Sequence, residues 1–158
     1  MNTRKRVITG LILGALASSP VAVMSHGKAK GIVLERHTAM TKIKKAGKSI
    51  GEMVRGKRSL DRNEMAAQAA VMSEEAKQVL VLFPDTPESR KGPGNNTKAT
   101  VWSQKQRFDA IGQDLVKAAD GLSSIAATAT NKEIKAQYRQ IQATCKSCHK
   151  TFRTKKKH

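Results

Sequence analysis

Aromatic side chains are nearly missing from this 158-residue sequence: Phe83, Trp102, Phe108, Tyr138 and Phe152 make up 3% of it. Aromatics normally supply large blocks of buried area. A core drawn from Ala, Ile, Val, Leu and Met suits a fold with a large flat group at its centre. Acidic residues are also short, 12 against 30 lysines and arginines, for a net charge of +18. That imbalance favours anionic partners. Yet the basic residues are spread along the chain without a recognition motif or stacking aromatics, which argues against nucleic acid. No apolar run reaches the roughly 20 residues of a spanning helix, and no stretch has sustained strand alternation. Cysteine occurs only twice.

The first residues read as a secretory signal peptide. Arg4, Lys5 and Arg6 form a charged start, residues 7–17 a short apolar run, and small residues lead to a cleavage point after Ser25. The reading divides the chain into a signal, residues 1–25, and one domain, residues 26–158, exported to the periplasm. A membrane anchor, the alternative, needs a longer run.

Four stretches have helical periodicity. Val33, Met40, Ile43, Gly47, Ile50, Met53 and Val54 form one stripe, Lys42, Lys44, Lys45 and Lys48 face elsewhere, and Gly56 is a natural stop. Asp61 and Glu64 have the spacing of a reciprocal capping pair. They open a second helix through Met65, Ala69, Met72, Ala76, Val79 and Leu80 that Pro84 ends. Residues 83–98 then read as a loop rich in Pro, Gly, Asn and Asp; its Asn95-Asn96-Thr97 sequon is too short a pattern to weigh. Val101, Phe108, Ile111, Leu115, Ala118, Leu122 and Ile125 define a third helix, with only Gln104 out of pattern. Thr130 and Glu133 open a fourth, whose stripe is Ile134, Tyr138, Ile141, Cys145, Cys148 and Phe152. The prediction is an all-α fold, an antiparallel four-helix bundle.

Both cysteines lie on that last stripe. Cys145-Lys146-Ser147-Cys148-His149 is a C-x-x-C-H motif, the attachment signature of c-type haem. Two thiols must add across the two vinyl groups on one porphyrin edge, so they need a fixed separation and a common face. On a helix, residues three apart differ by about 60° in direction and residues four apart by about 40°. Cys145, Cys148 and His149 can therefore address one macrocycle, with the His149 imidazole beneath the iron as proximal ligand. One covalent haem c near the C-terminal helix is expected. Other readings fit less well. A thioredoxin-like pair wants a βαβ setting and a helix N-terminus. A zinc site wants another ligand, and only His26, His37 and His158 remain. A disulfide across so short a helical span would be strained.

With the motif in the last helix and no methionine after it, the chain resembles the class II c-type cytochromes, comprising cytochrome c′ and its low-spin, methionine-ligated relatives. Leu82-Phe83-Pro84, Val101-Trp102 with Phe108, and Phe152-Arg153 after the motif carry the resemblance further, over roughly residues 32–154. It implies that Arg36 contacts a haem propionate, a guanidinium being able to grip a carboxylate bidentately; the alternative is one more exposed basic residue. It places Met40 at the distal position. A sulfur ligand there makes the haem six-coordinate and low-spin, suited to electron transfer, and this is the expected case. Packing alone, the commoner use of methionine on an apolar stripe, leaves five-coordinate iron open to gases. Trp102, Phe108, Tyr138, Ile43 and Phe152 are candidates to wall the haem. The expected function is electron transfer by a periplasmic monohaem cytochrome that converts no substrate and is not an enzyme. Its expected partners are redox proteins with acidic surfaces, reached by charge steering, an anionic membrane surface, and a second copy of itself, since family dimers are frequent. A five-coordinate gas-binding cytochrome c′ and a non-haem basic bundle binding polyanions stand as alternatives.

Overall fold

The computed structural model describes residues 29–154. The signal-peptide reading, His26, the terminal lysines 155–157 and His158 fall outside those residues. The chain forms α1 (Gly31–Val54), α2 (Arg62–Val81), a short α3 (Pro87–Lys91), a single turn α4 (Thr100–Ser103), α5 (Lys105–Ile125) and α6 (Asn131–Phe152). The four long helices run up, down, up and down as the expected bundle, and none of them is long and apolar enough to cross a membrane.

Local chemistry sets most of the ends. Gly56, at φ +68, ends the first hairpin arm in a conformation that other residues reach at a cost. At α6 the full capping box forms: the Glu133 amide donates to Thr130 Oγ1 at 3.3 Å, and the Thr130 amide donates to Glu133 Oε2 at 2.7 Å. At α2 only half of the expected box is made. Asp61 accepts from the Glu64 amide at 2.9 Å, but the Glu64 carboxylate turns away to accept from Arg58 and Ser49. A charged donor bound in two places outcompetes one backbone N–H.

That cluster holds the Glu64 carboxyl down to about 2, chiefly through the Arg58 hydrogen bond and next through Ser49. A carboxyl lowered in the folded state stabilises above its unfolded value, and the contribution fades as pH falls toward the folded value. Glu64→Gln is therefore expected to lower Tm at pH 7 and to flatten its decline between pH 4.5 and 2, so that variant and parent converge at the acid end. An acid limb identical to that of the parent would contradict the assignment.

The core is drawn from the expected stripes. Ile50, Met65, Met72 and Leu122 are fully buried, each worth about 1.5–3 kcal/mol relative to exposure. The third helix departs from expectation. It breaks at Gln104 (φ −124, ψ 42) because the turn before it is tied to the end of α6. The Lys98 amide donates to Phe152 O at 2.9 Å, Thr100 Oγ1 donates to Thr151 O at 3.2 Å, and the Thr154 amide donates to Asn96 O at 2.9 Å. The 83–98 loop also contains α3, with Thr86 as N-cap and Pro87 in the first turn, a favourable start for so short a helix.

Candidate functional site

The end of the bundle formed by the start of α1, the α2–α5 crossover, the start of α5 and the end of α6 holds most of the candidate residues. Along the α6 stripe, Ile134, Tyr138, Ile141 and Phe152 are all buried, between 2% and 7% exposed. Cys145 and Cys148, on the same stripe, are only partly buried, and His149 beside them is exposed. The core is complete above and below the two thiols and incomplete at their level.

Both cysteines are free. Burial pushes the Cys145 thiol up, and burial with the neighbouring Cys145 pushes Cys148 up to about 11. A redox-active pair needs the opposite shift, so the thioredoxin-like reading loses its chemistry. Partial desolvation, then the Arg153 charge, lowers the His149 imidazole below the ordinary histidine value and favours its neutral, ligating form. Among the described residues no group of three or more His, Cys, Asp and Glu side chains could hold a metal ion.

Tyr138 fixes the register between α1 and α6. Its hydroxyl donates to Gly47 O at 3.0 Å, and a Cβ on Gly51 would lie 2.4 Å from the same oxygen. Only glycine admits the tyrosine so close to α1. Counting away from that bond in the antiparallel pair, Met40 lies level with Cys145 to within about one turn. Met40 is half-buried and packs against the core from the α6-facing side of α1.

Arg36 has a different setting from the one expected. Its guanidinium is 4% exposed and grips the crossover: Nε donates to Leu82 O at 2.5 Å, Nη1 to Ser89 O at 2.8 Å, and Nη2 to Ser89 Oγ. It also lies over the Phe83 ring, 4.0 Å from the centroid. Burial lowers its pKa to about 10. The plain alternative of an exposed basic residue is thereby excluded. Three of the five guanidinium donors are engaged by protein, so a propionate contact would fall to the remaining two.

A family model described as Cytochrome C′ matches residues 31–153. The chain belongs to the cytochrome c′ family. Cytochrome c′ of Rubrivivax gelatinosus is 31% identical over 120 residues, covering 76% of this chain and 92% of the relative. Its crystal structure superposes with a TM-score of 0.69 at 30% identity, covering 77% of this chain and 94% of that one. Cytochrome c-556 of Rhodopseudomonas palustris is 26% identical over 149 residues, 93% of this chain and 97% of the relative. The fold is shared with a nitric oxide complex of a cytochrome c prime variant from Alcaligenes xylosoxidans, at 21% identity and a TM-score of 0.69 over 78% of this chain and 94% of that one.

The cofactor of a cytochrome c′ is a covalent haem c, and the donor set fits it: two protonated thiols three residues apart, an adjacent imidazole, and a level of the α6 stripe that the protein only partly covers. Of the aromatic wall candidates, Phe108 and Phe152 meet edge to face at 5.3 Å, Phe83 joins Phe108 at 4.8 Å, and Trp102 lies 6.3 Å from Phe83. These four rings cluster at the motif's end of the bundle. Tyr138 and Ile43 sit deeper, beneath it. Phe83 and Ser89 were not singled out as site residues from sequence, although Thr86-Pro87 marks a helix start close by. Asn95 of the sequon is used locally, its amide donating to Arg90 O at 2.6 Å.

Proposed function

We propose that this protein is a periplasmic monohaem cytochrome c′ in which Cys145 and Cys148 carry the thioether links and His149 is the proximal ligand. On this reading the iron position facing Met40 is open to a small gas molecule. The haem supplies a one-electron couple and that open coordination position. The protein supplies the tether, the imidazole and an apolar distal wall. The observation that carries the reading is the incomplete core at Cys145 and Cys148, on an otherwise buried stripe. The name cytochrome c′ borne by the relatives at 31% and 28% identity favours the five-coordinate form over the methionine-ligated one expected from sequence. Met40 already has a packing role against the core, as an apolar wall requires.

The second reading makes Met40 the sixth ligand. It is favoured by the level of Met40 on α1, opposite the motif. Absorption spectra of the purified holoprotein separate the two. We expect high-spin bands, ready binding of carbon monoxide by the ferrous form, and a resting spectrum that Met40→Ala leaves unchanged. A low-spin spectrum with a sulfur-to-iron charge-transfer band that vanishes in Met40→Ala would establish methionine ligation instead.

A further inference from the structure

The charge of this protein is not spread evenly around the bundle. Helices α1 and α6 together carry ten basic and three acidic residues, whereas α2 and α5 carry five basic and six acidic. Within α1, Lys42 lies on the flank toward α2, where it bonds Glu75 at 2.5 Å. Lys44 and Lys48 lie on the opposite flank, the one that presents Gly47 and Gly51 to Tyr138. Within α6, Gln137 lies toward α5, donating to Ala118 O at 2.8 Å. Helical spacing turns Arg139 and Lys146 to the side of α6 away from Gln137 and α5, about 100° and 80° round from Tyr138.

Four exposed cations thus border one seam, and the same seam contains Met40 and His149. The acidic neighbours are few. Glu52, on the outer face of α1, pairs loosely with Lys48 at 3.8 Å, and Lys44, Arg139 and Lys146 make no ion pair among the described residues. On the α2–α5 side Lys105 is closely paired with Asp109 at 2.6 Å, and Lys77 reaches Glu74 only at 4.0 Å. Unpaired cations around a half-open seam give a concentrated positive field, and such a field selects a partner by charge complementarity and steers its approach.

We infer that the α1–α6 seam, bordered by Lys44, Lys48, Arg139 and Lys146, is the docking face for an acidic protein partner. This inference rests on the haem reading only for its purpose, the approach of a redox partner to the motif. The binding face itself follows from the charge pattern. Docking there brings an acidic surface against the helix that bears Cys145, Cys148 and His149, and leaves the nearly neutral α2–α5 side free.

The test uses the holoprotein, its haem content measured first by pyridine haemochrome, titrated against immobilised acidic flavodoxin as the probe. Lys44→Glu with Arg139→Glu and Lys146→Glu should weaken binding by about tenfold or more at low ionic strength, and the difference should shrink in high salt. A matched control, Lys77→Glu with Arg107→Glu and Lys117→Glu, makes the same change of net charge on the other side and should weaken binding by less than about threefold. The glutamine versions of the first set keep the test readable should the reversals disturb folding; they should give a smaller loss in the same direction. Equal losses from both sets would show that only total charge matters and would overturn the proposal, as would no loss from either. Retained flavodoxin affinity with lost binding to phosphatidylglycerol vesicles would assign the face to lipid, and also overturn it. A colourless protein would remove the haem reading but leave the comparison of faces intact.

Discussion

Replacing both Cys145 and Cys148 with serine is expected to abolish covalent haem. Extraction with acidified organic solvent should remove all colour, and the polypeptide should run at its bare mass. The imidazole of His149 alone holds a porphyrin by an exchangeable bond, whereas two thioethers make it part of the chain. The expected loss extends to stability. The α6 stripe is sealed at Ile141 and Phe152 and open at the two cysteines between them, so the group that fills that level contributes core that few aromatics supply. A ligand held at about a thousandfold above its dissociation constant adds roughly 4 kcal/mol to folding. At about 2–5 °C per kcal/mol for a domain of this size, Tm should fall by roughly 10–20 °C, as read by circular dichroism. Each single serine variant should keep one thioether, with its haemochrome band displaced toward that of a porphyrin retaining one vinyl. Acid-stable haem in the double variant would mean that the cysteines are not the attachment points.

The parts of the molecule that could be read in the sequence are those whose causes lie within about one helical turn. The α6 capping box, its apolar stripe and the C-x-x-C-H spacing are relations between residues three or four apart, and all stand where periodicity puts them. What was not legible depends on partners far along the chain. The break at Gln104 follows from bonds between residues 96–100 and the last turn of α6. The Glu64 carboxylate left its expected cap because the loop before α2 brings Arg58 to it and α1 brings Ser49. Arg36 is the clearest case: its acceptors are 46 and 53 residues away. Helical spacing sets Arg36 on the buried stripe, three residues after Val33 and seven before Ile43, but it does not show what the guanidinium bonds there. The distal side has the same limit. Helical spacing places Met40 on the buried stripe, but its level opposite the motif appears only once Tyr138 is seen bonded to Gly47.

Arg36→Ala is expected to destabilise the fold by about 3 kcal/mol, a fall of roughly 10 °C in Tm. Ser89 is fully buried, so its carbonyl and hydroxyl lose their partner without gaining water, and Leu82 O is partly shielded. Each buried group left unmade costs about 1–3 kcal/mol, and the cation over Phe83 adds about 1 kcal/mol or more. Against this stands the relief of a buried charge with no carboxylate bonded to it among the described residues, which keeps the net below the sum. Arg36→Lys should recover only part of the loss, because one ammonium cannot span acceptors on Leu82 and Ser89 in a fixed fork. Hydrogen exchange should quicken in residues 83–92 before it quickens in α5, since the clamp holds the crossover and not the far pair of helices. The same substitution in the haem-free double serine background decides what the arginine is for. A crossover clamp loses as much stability there as in the holoprotein, whereas a residue that acts only through a propionate loses nothing once the haem is gone.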